Sequence, residues 1–169
     1  VVAIDIDPDA LDRCKRGEAG WHERDLQQML DDHGPGIDWR SDVADAAEAD
    51  VVFVVVPTPS LPSGAFDVSI VESVISTIAQ ASRNGLSPVL CVVSTVNPGD
   101  CGGVLTEALT GADLELVVSP EFVALGDVFA GMRRPALLLI GQSHEWAGDR
   151  VSAVLRKIRS WGPGGLPPG

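Results

Sequence analysis

Four polar residues near the ends of short apolar runs have side chains suited to binding or reacting with a polar ligand. Asp5 and Glu121 carry carboxylates, and Thr58 and Thr95 carry hydroxyls. In dinucleotide-binding folds, a carboxylate at the tip of a strand accepts hydrogen bonds from ribose hydroxyls. A carboxylate beside a bound water is a candidate general base, and a hydroxyl can hold a ligand or a water. We therefore expect a ligand site among these residues, with Asp5 at a ribose.

The same segments also have purely structural interpretations. Asp7 precedes a proline, and we assign it to capping a helix, because proline is tolerated at the first helical position. Pro57-Thr58-Pro59 is stiff and poor in backbone donors, which suits a wall against a flat ring or a sugar, but alone it is an ordinary loop. Ser94 and Thr95 suit ligand binding and helix capping equally well. The alternative roles of Glu121 are a surface acid and a helix cap.

The elements that would position these residues alternate along the chain. Runs that are apolar at nearly every position and rich in β-branched residues predict buried parallel strands at residues 1–6, 51–56, 89–93, 114–118 and 136–140. Helical spacing occurs at residues 9–16, 25–31, 42–48 (with Asp42 as the cap), 69–82, 102–109 and 145–158. In the helix over 69–82, we expect Ile70, Val74, Ile78 and Ala81 to form the buried face. The alternation predicts an α/β fold, a parallel sheet with helices on both faces whose ligands bind beyond the carboxyl ends of the strands.

Composition excludes several classes of function. The net charge of −12 argues against nucleic acid as a partner, so an anionic ligand would rely on backbone N–H groups at helix N-termini. The apolar runs are far shorter than the roughly 18 residues that a membrane-spanning helix needs, and the chain does not start like a secretory signal, so we expect a cytoplasmic location and no membrane partner. Three irregularly spaced cysteines predict neither disulfides nor a zinc site. Residues 1–159 are expected to form one domain, followed by a disordered Gly/Pro-rich tail over 160–169.

In their order and spacing, the motifs resemble the N-terminal domain of the UDP-glucose/GDP-mannose dehydrogenase family. The matching segments are Val2-Ala3-Ile4-Asp5-Ile6-Asp7-Pro8, Gly17 with His22-Glu23, Ala49-Asp50-Val51-Val52-Phe53, Pro57-Thr58-Pro59, Asp67, Ser94-Thr95-Val96 with Pro98-Gly99, Ser119-Pro120-Glu121-Phe122 with Gly126, and Ile140-Gly141. The resemblance implies a Rossmann-like, doubly wound parallel sheet. It also implies oxidation of the C6 alcohol of a nucleotide-linked hexose to a carboxylate, in two steps with two molecules of NAD and a cysteine thioester.

The resemblance also implies roles for individual residues. Asp5 would hold the adenosine ribose, and Thr58 and Thr95 would line the NAD site. Thr95 would also help to place a water, and Glu121 would assist hydrolysis of the thioester. The sequence departs from the commonest family pattern at Ala10, Asn97, Asp100 and Leu125. The last departure, where many members have a second acid, leaves the substrate class open.

Two parts of the family pattern are not found in this sequence. The glycine-rich turn and the first strand of the sheet should precede residue 1, and we expect that strand to lie beside the runs at residues 1–6 and 89–93. The family's nucleophilic cysteine belongs to a later domain, and Cys101 does not match it. We therefore expect a fragment that folds poorly and is inactive alone, from a protein that forms a homo-oligomer. Alternatives are a non-catalytic binding or assembly module, a product without a stable fold, and a receiver-type signalling domain, which the sequence does not favour because no acceptor aspartate follows a later strand.

Overall fold

The computed structural model describes residues 1–82, 87–122, 126–135 and 137–160. Six strands lie within these residues: β1 (Val2–Ile4), β2 (Asp38–Arg40), β3 (Val51–Val54), β4 (Val89–Val92), β5 (Glu115–Val118) and β6 (Gly141–Gln142). The first, third, fourth and fifth of these fall within or overlap four of the predicted runs. The tail at residues 161–169 lies outside the described part, so its predicted disorder is not addressed.

Six α-helices connect or flank the strands in the described part of the chain. They are α1 (Pro8–Lys15), α2 (Leu26–His33), α3 (Ser69–Ala81), α4 (Val104–Glu107), α5 (Val128–Arg133) and α6 (Glu145–Ser160). Short 3-10 helices cover Gly34–Gly36 and Val43–Glu48, and Asp42 caps the second of these by accepting a hydrogen bond from the N–H of Ala44 at 2.9 Å. This cap confirms the role predicted for Asp42.

The strands form two sheets. The larger sheet has the order β3-β4-β5-β6, in which the first three strands are parallel and β6 is antiparallel to β5; the smaller sheet pairs β1 with β2 in parallel. The alternation of parallel strands and helices confirms the predicted α/β class.

The prediction of a fifth buried parallel strand over residues 136–140 is wrong for residues 137–140, which form no strand; residue 136 lies outside the described part. Leu137 and Leu139 are 56% and 47% exposed, whereas Leu138 and Ile140 pack into the core. The segment is therefore covered on one side only, and the chain pairs with β5 just beyond it, at Gly141. Gly141 allows this approach, because a Cβ there would lie 2.6 Å from a methyl group of Val118.

Two buried clusters pack against the two faces of the larger sheet. Leu90 and Val92 of β4 belong to the cluster that contains the buried residues of α3, whereas Val89 and Cys91 face Ala147, Val151 and Leu155 of α6. Successive residues of a strand point to opposite faces, so β4 is buried on both sides. This arrangement confirms helices on both faces of the sheet.

The buried face of α3 differs from the predicted one. Val71, Ile75, Ile78 and Ala79 are buried, whereas Ile70 is 41% exposed; Val74 and Ala81 lie at the margin of the cluster. Both sets of residues have helical spacing and share Ile78, because they lie on adjacent parts of one broad apolar face. Contact with the sheet selects one of the two faces.

The expectation that a preceding strand lies beside the runs at residues 1–6 and 89–93 also needs correction. The Val89 strand, β4, is paired on both sides, by β3 and by β5. Within the described residues, the strands with one unpaired edge facing the break between the two sheets are β1 and β3. Ile4 of β1 packs against the cluster beneath β3 and β4, so the two sheets share one core. No helix in the described part of the chain is long and apolar enough to cross a membrane.

Candidate functional site

Thr58, Thr95 and Glu121 lie at one edge of the larger sheet. Val54, Val92 and Val118 are level with one another in the parallel register of β3, β4 and β5. The three polar residues follow these valines by a few positions along their respective strands. Since the strands run in the same direction, all three predicted site residues follow carboxyl ends at the same edge.

Ser94 joins the loop after β3 to the loop after β4. Its hydroxyl accepts a hydrogen bond from the N–H of Val56 at 2.8 Å and lies 2.8 Å from the carbonyl oxygen of Val56, to which it can donate. The side chain is 7% exposed, and it continues the strand pairing past the point where the backbone ladder ends. This residue is therefore structural, and the ligand-binding alternative for the pair Ser94-Thr95 is left to Thr95.

The threonine hydroxyls are placed differently. Thr95 is exposed and Thr58 is partly exposed. No hydrogen bond joins either hydroxyl to another residue within the described ranges. Each hydroxyl can therefore donate to or accept from a ligand without breaking a contact that holds the fold.

Asp5 and Asp7 take separate roles at the end of β1. Asp7 accepts a hydrogen bond from the N–H of Asp9 at 2.9 Å and caps α1, which confirms its predicted role. One oxygen of Asp5 accepts from the N–H of Asp7 at 2.9 Å, which fixes the carboxylate at the exposed tip of β1. Its other oxygen has no partner within the described residues and is available to a hydroxyl. Asp5 also borders a cavity of about 100 Å³ between α1 and the smaller sheet.

These side chains fit a dinucleotide. The uncommitted oxygen of the exposed Asp5 carboxylate can accept a hydrogen bond from a ribose hydroxyl, and the hydroxyls of Thr58 and Thr95 can contact the remainder of the cofactor. No cluster of potential metal ligands occurs within the described residues.

The cysteines of this region are poor nucleophiles. Burial, and secondarily the nearby charge of Glu121, raises the pKa of the Cys91 thiol to about 12. Burial, and then the charge of Asp100, also raises the pKa of the Cys101 thiol. The thiolate is the reactive form of cysteine, so both thiols are held in the unreactive form at neutral pH. The exclusion of Cys101 as nucleophile agrees with this environment.

Ser119, at the end of β5, is a polar residue whose hydrogen-bonding capacity is unused. It is 1% exposed, and its hydroxyl has no hydrogen-bond partner in the described part of the chain. Buried hydroxyls are usually satisfied by protein or by water. Its position two residues before Glu121 adds a polar group to this strand tip.

A further contact, which the sequence did not reveal, anchors the segment after Glu121. The carboxylate of Glu23 accepts hydrogen bonds from the N–H of Gly126 at 2.7 Å and from the N–H of Val128 at 2.9 Å. The hydrogen bond from Val128 is the main cause that lowers the pKa of Glu23, and Gly126 contributes to the same shift. Arg24 adds an ion pair with Asp127 at 3.2 Å. The contact was not predictable because backbone N–H groups more than a hundred positions away leave no sequence pattern.

Comparison with known proteins agrees with this architecture. The model of the NAD binding domain of the UDP-glucose/GDP-mannose dehydrogenase family matches residues 1–159. A UDP-glucose 6-dehydrogenase of Haloferax volcanii is 23% identical over 94% of this chain, and a GDP-mannose 6-dehydrogenase of Pseudomonas savastanoi is 27% identical over 94% of it. The chain spans 39% of the length of each of these relatives.

Solved structures share the fold. The GDP-mannose dehydrogenase of Pseudomonas aeruginosa, solved as a ternary complex, superposes with a TM-score of 0.86 at 24% identity over 93% of this chain and 38% of its own. A UDP-glucose dehydrogenase from the archaeon Pyrobaculum islandicum gives the same TM-score, 0.86, at 24% identity over 99% of this chain and 39% of its own. The Rossmann-like fold predicted from the sequence is therefore confirmed. The chain belongs to the UDP-glucose/GDP-mannose dehydrogenase family, of which it carries the NAD binding domain.

Proposed function

We propose that this chain is the cofactor-binding part of an enzyme that oxidises the C6 alcohol of a UDP- or GDP-linked hexose to a carboxylate. The main support is that Thr58, Thr95 and Glu121 follow the carboxyl ends of adjacent parallel strands, in a chain of this family. The relatives named above act on UDP-glucose and GDP-mannose, which suggests a nucleotide sugar as substrate. A cytoplasmic location and a homo-oligomeric complete protein are parts of the same proposal.

NAD, when bound, accepts the hydride. The carboxylate of Asp5 holds the adenosine ribose through its uncommitted oxygen, and the Thr58 and Thr95 hydroxyls line the remainder of the cofactor site. A carboxylate at the position of Glu121 orients or deprotonates the water that completes the oxidation, and Thr95 helps to hold that water. The charge of Glu121 adds, after burial, to the raised pKa of the Cys91 thiol.

The proposal includes inactivity of this chain alone. Oxidation of an alcohol to an acid through a thioester requires a nucleophilic thiolate. Cys91 and Cys101 are held as thiols, and we assign the nucleophile to neither. The present residues thus supply cofactor binding and water activation.

Calorimetric titration of the 169-residue chain with NAD tests the proposed site. Replacing Asp5 with Ala should weaken binding by about 1–3 kcal/mol, roughly 5- to 150-fold, because a charged hydrogen bond is lost. Asp12→Ala is the matched control, since it removes the same charge from an exposed position on the adjacent helix α1. Equal NAD affinity in the Asp5 and Asp12 variants would remove Asp5 from the site.

A second arm of the experiment separates an enzyme part from a binding module. The chain is mixed with NAD and UDP-glucose or GDP-mannose, and NADH is followed by absorbance; we expect none. NADH formation by the chain would contradict the proposed inactivity. Binding of the nucleotide sugar by this chain without NADH formation would favour the binding or assembly module.

A further inference from the structure

Asn97 connects the two loops that carry the threonines. Its side-chain carbonyl accepts a hydrogen bond from the N–H of Phe66 at 2.8 Å, and its side-chain amide donates to the carbonyl oxygen of Phe66 at 3.0 Å. The carboxamide thus bonds both backbone groups of one residue, as a neighbouring strand would. Residues 66 and 97 are 31 positions apart, so the contact is tertiary.

The loop held by Asn97 is itself ordered. Ser60 and Phe66 form an antiparallel bridge, and the N–H of Asp67 donates to the carbonyl oxygen of Pro59 at 2.8 Å. A second bond within the loop joins the N–H of Leu61 to the carbonyl oxygen of Ala65 at 2.8 Å. These bonds make residues 59–67 a small hairpin. Fixing Phe66 therefore also fixes the base of the hairpin, which directly follows Thr58.

Ser94 and Asn97 bracket both threonines. On one loop, Thr58 lies between Val56, which Ser94 holds, and Phe66, which Asn97 holds. On the other loop, Thr95 lies between the two holding residues themselves. Each threonine thus has one cross-link on either side, formed by Ser94 and by Asn97. These two cross-links leave little freedom for one loop to move relative to the other.

Asn97 is held in turn by Asp100. The carboxylate of Asp100 accepts from the backbone N–H of Asn97 at 2.8 Å and from its side-chain amide at 2.7 Å. The amide therefore has both hydrogens occupied, one by Phe66 and one by Asp100. The bond to Asp100 therefore orients the carboxamide so that its oxygen faces the N–H of Phe66.

We propose that Asn97 is a positioning residue that fixes the separation of Thr58 and Thr95 through its pair of hydrogen bonds to Phe66. This inference rests on the proposed NAD site, because the separation matters only if both hydroxyls contact one ligand. Asn97 does not touch that ligand. Its contribution is a preformed cleft, which lowers the cost of ordering the loops when NAD binds.

Two variants separate the tie to Phe66 from the contact with Asp100. Asn97→Ala removes both. The double variant Asn97→Asp with Asp100→Asn exchanges the two side chains, keeps the net charge, and restores an amide–carboxylate pair within the loop. It leaves the carbonyl oxygen of Phe66 without its side-chain donor, because a carboxylate cannot donate. Gln28→Ala is the control, since it removes an amide–carboxylate hydrogen bond to Asp32 on helix α2.

We expect both Asn97 variants to bind NAD about tenfold more weakly than the unmodified chain in calorimetric titration, and Gln28→Ala to bind normally. Normal NAD affinity in Asn97→Ala would overturn the proposal. Normal affinity in the exchanged variant would overturn it as well, because the proposal requires the pair of hydrogen bonds to Phe66, and this variant keeps only the one that the N–H of Phe66 donates. If Asn97→Ala does not fold, the NAD affinity of the exchanged variant provides the test.

NMR of the same chains, without ligand, distinguishes failure of this inference from failure of the proposed function. In Asn97→Ala, which removes the acceptor of the Phe66 N–H, hydrogen exchange of the Phe66 amide should accelerate at least about tenfold, and in both Asn97 variants the methyl signals of Thr58 and Thr95 should shift. If the unmodified chain binds no NAD, the proposed site fails while these signals still report on the positioning. Unshifted threonine methyls would overturn the positioning role whatever the NAD affinity.

Discussion

At the scale of single residues, the use of hydrogen-bonding capacity separates supporting residues from candidate ligand-binding residues. The side-chain polar atoms of Ser94 and Asn97 form hydrogen bonds with backbone groups of a neighbouring loop. The hydroxyls of Thr58 and Thr95 have no such partner within the described residues. Residue types alone did not reveal this difference, because serine and threonine carry the same functional group. The distinction depends on loops that the fold brings together.

Glu23 allows a prediction at this scale. Replacing it with Gln keeps the shape of the side chain but removes the charge and one of two acceptors, so a backbone N–H of Gly126 or Val128 loses its partner. We expect a lower Tm at pH 7, measured by circular dichroism. The pKa of Glu23 is lowered in the folded state, so its stabilising effect is present above the unfolded pKa of about 4.3 and is lost as the pH falls through the folded value.

The difference in Tm between the chain and its Glu23→Gln variant should therefore shrink as the pH falls below the unfolded pKa of about 4.3. Glu107→Gln is the matched control, because Glu107 is exposed on α4 and its Tm change should be small at every pH. A difference for Glu23→Gln that stays constant from pH 7 to pH 3 would show that the carboxylate charge is not what holds Gly126 and Val128.

At the scale of elements, the sequence pattern predicted the helices and strands whose apolar residues recur with a regular period. The helices α1, α2, α3 and α6 were predicted within a few residues of their ends, as were strands β1, β3, β4 and β5. Strand β2 was missed because Asp38-Trp39-Arg40 is mostly polar. Its extended conformation depends on the pairing with β1 and not on a pattern in its own sequence. Helix α5 was missed, whereas the shorter helix α4 lies within the helical segment predicted over residues 102–109.

The candidate site was predictable to a similar degree and for a similar reason. Strand ends follow from the apolar runs, and parallel strands bring their ends to one edge, so the proximity of Thr58, Thr95 and Glu121 could be inferred. The supporting contacts of Glu23 and Asn97 could not, because their partners are backbone groups, which every residue has. The positions of supporting contacts depend on tertiary geometry.

The corrected face of α3 gives a prediction at the scale of elements. Ile75 is fully buried against the sheet, whereas Ile70 is 41% exposed. Ile75→Ala should lower the free energy of unfolding by about 2–5 kcal/mol, because it leaves a cavity in a packed cluster. Ile70→Ala, the same change on the same helix, should cost less than about 1 kcal/mol. Urea unfolding measures both, and equal costs would restore the originally predicted face.

At the scale of the whole molecule, two sheets share one core. Ile4 links the smaller sheet to the cluster beneath β3 and β4, and no hydrogen-bonded strand pair joins the two sheets among the described residues. Side-chain packing therefore carries the contact between them. The site follows this division, since Asp5 lies on the smaller sheet and the two threonines follow strands of the larger one.

The net charge of −12 predicts how salt affects this molecule. Repulsion among excess carboxylates disfavours the compact state, and added salt screens it as the Debye length falls from about 30 Å at 0.01 M to about 3 Å at 1 M. Salt also weakens local attractions, such as those of Arg40 with Asp38 and Glu48. These ion pairs are partly exposed and contribute little, so we expect the repulsion to dominate and the Tm to rise between 0.01 and 1 M KCl.

Potassium chloride is the suitable salt for this measurement, because strongly excluded anions such as sulfate also stabilise proteins by a second mechanism, in addition to screening charge. Neutralising two adjacent carboxylates on α2, by Asp31→Asn and Asp32→Asn, should raise the Tm at low salt and reduce the rise caused by KCl. A Tm that falls with added KCl would mean that ion pairs like those of Arg40 outweigh the repulsion. The same screening should strengthen NAD binding, because the approach of an anionic cofactor to an acidic molecule is opposed at long range, whereas the contacts proposed for Asp5, Thr58 and Thr95 are short-range.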